Sequence, residues 1–265
     1  MQKTESYGKV IVERFLFPGQ YLNDIELEQL QKNITYINND RINHALISVN
    51  NSLEQFREMT KHMVIALTSY KEKYNGFIFC PVLKSPINDT YIFHAGLIVM
   101  NRNYLGNNAI SILGAGNAFF VYKHLKVRSF FSTNITSTPS IVESFSKFGG
   151  KNIWPSPNAN LRTPNKHYRS ILRTLKKEYI NVFFPKNETI TVDEKRFILR
   201  SSSQEMGFNT SFDSIPKADS LKYNLFCKLW INYKKQEDVI QIGEFSLRSF
   251  LKVWIYLKFL RYKIK

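Results

Sequence analysis

At 265 residues and 31.1 kDa, with 43% hydrophobic and 14% aromatic residues, the chain can bury a large core, which excludes a disordered tail and a stapled mini-protein. No apolar run approaches the roughly 18 residues of a membrane span, and the opening MQKTESYGKV lacks the apolar centre of a secretory signal. Cys80 and Cys227 are too few for a disulfide framework or a zinc site, so a reducing cytoplasm and no metal are expected. The net charge of +16 is uneven: residues 1–150 hold 15 Lys and Arg against 11 Asp and Glu, residues 151–265 hold 22 against 10. The second part therefore predicts an acidic partner, whether a phosphate-bearing cofactor, an acidic carrier protein or anionic lipid. A merely solubilising basic surface is the plain alternative, and nucleic acid is not expected, since no recognition motif accompanies the charge.

In chain order, Val10–Phe17 alternates as a first strand and ends at Pro18-Gly19. Leu22–Ile47 carries Leu22, Ile25, Leu27, Leu30, Ile34, Ile37, Ile42 and Leu46 at helical intervals and predicts one long or two short amphipathic helices, broken near Asn38-Asn39-Asp40. Leu53–Lys61 adds a turn of helix. Met63–Tyr70, Gly76–Leu83 and Tyr91–Val99 read as strands of an antiparallel meander joined by short polar turns. Ala109–Leu125 reads as a helix, and its Gly114 and Gly116 predict close packing against a sheet. Val127–Thr133 follows as a strand, then a helix over Ser140–Phe148 opened by Pro139 and stopped by Gly149-Gly150. Beyond a turn-rich stretch at 152–164, His167–Phe184 reads as a basic helix and Thr189–Arg200 as a strand. Leu225–Tyr233 and Val239–Phe245 read as the last strands. The final segment, Phe245–Lys265, holds six basic residues and no acidic one among many aromatics, a pattern that docks on the body or lies on an anionic bilayer.

The middle of the chain is a strand, a polar loop with one glycine over Arg102–Asn108, a helix, a strand and a helix. A loop that leaves a strand and opens a helix presents unpaired N–H groups and a dipole that favours an anion. This order, with YLGNNAI at Tyr104–Ile110, resembles the Gcn5-related N-acetyltransferase superfamily, whose pyrophosphate loop has the form Q/R-x-x-G-x-G/A. The resemblance covers about residues 60–150. It implies a fold like that of the acyl-CoA N-acyltransferases: α+β, a central mixed, mostly antiparallel sheet flanked by helices, plus a C-terminal extension. It also implies acyl-CoA or acetyl-CoA as co-substrate, with Leu105, Gly106, Asn107, Asn108 and Ala109 on the pyrophosphate. Gly96, Ile98 and Val99 would lie along the pantetheine arm, with Asn134 on the next strand also facing the cofactor.

The chain departs from the family pattern in three ways. Gly106 alone remains of the loop glycines, Phe145 stands where a tyrosine often protonates the leaving thiolate, and no glutamate lies on the Tyr91–Val99 strand. Acid/base candidates are then His94, whose ordinary pKa near 6.5 suits proton relay, Tyr104 in the loop, Asp89, and Ser140 or Ser144 in the following helix. A hydrogen-bonded core role for His94 is the bland alternative. The expected organisation is an N-acyltransferase-like core over residues 1–150 and a basic part over 151–265 that completes the sheet and adds a terminal aromatic helix. The expected activity moves an acyl group from acyl-CoA, or from acyl carrier protein, to a small-molecule amine that enters from the Leu22–Ile47 side. The donor is expected in a splayed cleft between the Tyr91 and Val127 strands. The competing reading keeps the fold without catalysis, as a cytoplasmic module bound peripherally to an anionic membrane through 245–265 or to an acidic partner.

Overall fold

The computed structural model describes residues 1–41, 52–100, 111–149, 151–159, 163–181, 190–200 and 211–263. The architecture is α+β, with helices flanking a mixed, mostly antiparallel set of strands. The chain forms two compact units, one from Met1–Val82, Ala95–Lys126 and Phe250–Lys265, the other from Leu83–His94 and Val127–Ser249.

In the first unit β1 (Gln2–Tyr7) and β2 (Val10–Leu16) form a hairpin closed by Gly8 at a φ of 60°. The strand expected first is thus the second. QKTESY alternates too weakly in hydrophobicity to show as a strand, yet Tyr7 is buried and Gln2–Tyr7 is fully laddered. β3 (Met63–Tyr70) pairs with β2 and with β4 (Lys73–Lys84), and β6 (Ile98–Met100) pairs with β4. Met63–Leu67 are buried consecutively, so both faces of β3 are covered. α1 (Asp24–Arg41) runs unbroken through Asn38, and its buried Leu27, Leu30, Ile34 and Ile37 follow the expected helical spacing. α2 (Leu53–Thr60) starts at a capping box between Ser52 and Gln55.

A π turn over Ser111–Ala115 opens α3 (Gly116–Leu125). Here lies a buried cation. Arg14 of β2 is 1% exposed, pairs with Glu5 of β1 at 3.0 Å, and donates to Asn117 Oδ1 at 2.5 Å and to the Ile112 carbonyl at 2.7 Å. Burial alone would raise the Glu5 pKa, but the Arg14 charge and the hydrogen bonds from Lys3 and Arg14 outweigh it and hold the carboxyl at about 2. A Cβ on Gly116 would collide with this guanidinium, 2.9 Å from Cζ, whereas one on Gly114 would meet nothing within 4 Å. Close approach thus requires only the second glycine of the pair.

In the second unit β5 (Tyr91–Ala95), β7 (Ser129–Thr136), β11 (Glu237–Ser246), β10 (Ile198–Arg200) and β9 (Thr191–Asp193) are neighbours in that order, and β8 (Lys151–Trp154) also pairs with β11. β11 is the long central strand. β7 lines one edge along its length, and β10 then β8 share the other. Ile240 and Ile242 point to the side of α5 (Lys166–Leu175) and meet Tyr168, Ile171, Leu172 and Leu175. Val239 points to the opposite side and joins Val142 of α4 (Pro139–Phe148) with Tyr223 and Cys227 of α6 (Leu221–Trp230).

α6 corrects the strand expected over Leu225–Tyr233. The run NLFCKLW fits a short buried strand by composition, but Tyr223 and Cys227 are buried one turn apart while Leu221, Leu225 and Leu229 are exposed, which is helical periodicity. Of the strand expected over Thr189–Arg200, the described residues 190–200 form two strands joined by a turn, with Asp193 Oδ1 accepting from the N–H groups of Lys195 and Arg196. The turn-rich stretch after Gly150 contains β8. The C-terminal segment is the helix α7 (Leu247–Lys263), whose Phe250 ring stacks on Tyr122 of α3 at 3.5 Å.

Gly116→Ala is expected to lower unfolding stability by about 2–3 kcal/mol through the clash with Arg14. Gly114→Ala should instead raise it by about 0.5–1 kcal/mol through helix propensity. Urea unfolding of the two variants measures both, and equal effects would contradict the steric account.

Candidate functional site

The strand expected over Tyr91–Val99 is interrupted at Gly96-Leu97. Gly96 approaches β4 so closely that a Cβ there would stand 2.5 Å from the Phe79 carbonyl. Phe79 N–H donates to Leu97 O at 2.9 Å, and the register continues as Ile78 opposite Ile98 and Phe77 opposite Val99. In an antiparallel ladder inward and outward main-chain groups alternate. Val99 N–H therefore points at β4, while the N–H groups of Ile98 and Met100 point away from it. Among the described strands β6 pairs with β4 alone. The main-chain edge expected to meet an extended ligand thus comes down to Ile98 and Met100. Gly96 N–H hydrogen-bonds instead with Cys80, whose thiol burial pushes up to about 12. Tyr104, Leu105, Gly106, Asn107, Asn108 and Ala109 lie outside the described residues.

Tyr91–Ala95 is a hydrogen-bonded neighbour of β7, so the expected opening between these two strands does not run along those residues. On β7, successive side chains face opposite sides, and each side carries one of the sequence candidates. Thr133, on the α5 side, meets His94 of β5, with Nδ1 and Oγ1 2.8 Å apart. Tyr179, in the π turn over Lys176–Ile180 that extends α5, places its ring 4.3 Å from the imidazole. His94 is 1% exposed, and desolvation lowers its pKa to about 3. It is a neutral imidazole at physiological pH.

Asn134, on the α4 side, is 2% exposed, and among the described residues neither its Oδ1 nor its Nδ2 has a hydrogen-bond partner. Its register partner on β11 is Gln241, fully buried, which donates through Nε2 to Ser146 Oγ at 3.2 Å and to Pro155 O at 3.0 Å. Gln241 Oε1 is also without a partner among the described residues. Two carboxamides therefore lie side by side with three unsatisfied polar atoms, a state that costs on the order of 1–3 kcal/mol per group. Ser144 is half-buried on α4 and sits two residues, or about 200°, round the helix from Ser146, so it faces away from this pair. His94 and Ser144 consequently belong to opposite sides of β7, and the structure does not bring them together.

Gln241 and Ser146 are the residues that sequence reading passed over. Gln241 is the one polar side chain in the apolar run VIQIG, and Ser146 stands four residues after the buried Val142, on the same helix face. Glu143, beside them in sequence, is committed elsewhere. Burial would raise its pKa, but bonds from Lys147 and from the Asp219 N–H outweigh it and keep the carboxylate ionised as an anchor for the segment before α6. Among the described residues no group of His, Cys, Asp and Glu could hold a metal ion.

The low pKa of His94 sets a pH window. The unfolded chain protonates it near 6.5 and the fold near 3, so stability is full above 6.5 and falls with decreasing pH, by up to about 1.4 kcal/mol per unit. Glu5 acts in the same direction only below its ordinary 4.5. Urea unfolding between pH 6.5 and 4.5 should therefore show a shallower pH slope for His94→Gln than for the natural chain. An unchanged slope would remove His94 from this account.

No protein-family model matches the sequence, and no curated protein matches it. Among solved structures it is similar to an aminoglycoside acetyltransferase from an uncultured soil metagenomic sample in complex with trehalose, at 14% identity over 44% of this chain and 72% of that one, with a TM-score of 0.33. It is also similar to an acetyltransferase of the GNAT family from Streptococcus pneumoniae, at 13% identity over 53% and 83%, with a TM-score of 0.37. A third is the alpha-N-protein acetyltransferase RimL in complex with coenzyme A, at 11% identity over 49% and 74%, with a TM-score of 0.31. At these TM-scores the likeness carries no assignment of activity to this chain.

Proposed function

We propose that the chain is an acyltransferase that moves an acyl group from an acyl-CoA, or from an acyl carrier protein, to a small amine. The observation that carries this reading is Asn134, whose buried carboxamide has both polar atoms unsatisfied on the strand that follows α3. A secondary amide offers a donor for Oδ1 and an acceptor for Nδ2, and the pantetheine arm shared by coenzyme A and carrier proteins contains two such amides.

The described candidates leave little room for side-chain acid/base work near neutrality. His94 stays neutral and Cys80 stays a thiol. Rate enhancement in this reading comes from holding the thioester and the amine in line, with fixed hydrogen-bond donors polarising the thioester carbonyl as charge develops on its oxygen. The amine attacks the carbonyl carbon, the C–S bond breaks, and the thiolate leaves with a proton that the amine has lost. The basic second part, rich in Lys and Arg, favours the phosphates of the donor or the acidic surface of a carrier protein.

Asn134→Leu separates ligand binding from folding. Removing two unsatisfied atoms should leave the ligand-free protein equally stable or about 1–2 kcal/mol more stable, while weakening acyl-donor binding at least about tenfold, the loss of roughly one hydrogen bond. Calorimetric titration with acetyl-CoA, a long-chain acyl-CoA and acyl carrier protein measures it. Absence of binding to all three, or equal binding by the variant, would sink the proposal.

A further inference from the structure

α7 presents two unlike faces. Phe250, Val253, Leu257 and Leu260 are buried, and the Phe250 ring on Tyr122 anchors the helix. At about 100° per residue, Leu247, Leu251, Trp254, Ile255 and Lys258 fall within one arc on the opposite side. The four apolar members of that arc are 66%, 56%, 40% and 55% exposed. Lys258 Nζ lies 4.1 Å from the Trp254 ring centroid; Arg248 falls at one margin of the arc, and Lys252 lies about 60° beyond that margin, past the exposed Phe259. Residues 247–265 hold six basic side chains and no acidic one.

We infer that this outward face of α7 docks on the surface of an anionic phospholipid bilayer. The apolar side chains enter the boundary between headgroups and acyl chains, and the indole sits at headgroup level. The flanking cations meet lipid phosphates. Among the described residues no helix is long and apolar enough to cross a membrane, so α7 lies on the surface. Charge separates this occupant from the others. A second copy would set the cations of one α7 against those of another with no carboxylate from either helix. A nucleic acid would use the cations and leave Leu251 and Ile255 in water.

The test is flotation of the full chain with vesicles of phosphatidylcholine alone and of phosphatidylcholine mixed with phosphatidylglycerol, read together with tryptophan emission. The natural chain should float with the anionic vesicles only, and its emission should shift to the blue, a shift that Trp254→Phe removes. Leu251→Glu combined with Ile255→Glu should lose at least tenfold in vesicle affinity. So should Lys252→Glu, with unfolding midpoints unchanged because all three positions are exposed. The inference is overturned if the natural chain does not float, if the Leu251→Glu and Ile255→Glu chain floats as well as it does, or if binding proceeds without the Trp254 shift. It is equally overturned if sedimentation shows the face covered by a second copy, or if duplex DNA displaces the vesicles.

Discussion

The first unit is organised by one buried guanidinium. Arg14 has the Glu5 carboxylate on one side and the Ile112 carbonyl and Asn117 amide on the other, so it ties the β1–β2 hairpin to the start of α3 across about a hundred residues of sequence. A charge in that place is tolerable only while all these partners are present, since an uncompensated buried ion costs on the order of 3–5 kcal/mol. The arrangement is therefore strict about geometry. The π turn that opens α3 includes Ile112, whose carbonyl accepts from Arg14, and the closeness of the guanidinium accounts for the absence of a side chain at residue 116.

The two sides of β7 show how one strand serves two purposes. Thr133 points to a dry side where an imidazole, a hydroxyl and a phenol ring are packed together. Asn134, the next residue, points to a side where hydrogen-bonding capacity is left over. Among the described residues the same pair of unsatisfied amide atoms recurs at Asn38 of α1, and each such group is held at a cost in stability.

Sequence alone displayed those features whose cause is local. The spacing of Leu27, Leu30, Ile34 and Ile37 announced α1, Pro139 announced the start of α4, and the aromatic and basic run after Phe245 announced a terminal helix. β1 escaped because QKTESY gains its order from pairing with β2, not from its own pattern. α6 was misread because seven mostly apolar residues fit either period, and burial against Val142 and Val239 decided the matter. The candidate site was legible as a list and not as an arrangement. Gln241 is a polar residue in an apolar run that sequence reading passed over, Asn134 follows Ser132 and Thr133 in a largely polar strand, and only the β7–β11 register sets the two side by side. That register depends on chain segments more than a hundred residues apart.

The way the chain is threaded has a consequence for how it is made. The first unit takes residues from near both ends of this sequence, Met1–Val82 and Phe250–Lys265, while the second is complete by Ser249. A ribosome delivers the chain in order, so the second unit can close while the first still lacks α7. The arrival of α7 then completes the first unit with a helix whose other side is apolar and cationic. A nascent chain at that moment has two places where α7 can go, and burial of Phe250, Val253, Leu257 and Leu260 decides which side faces inward.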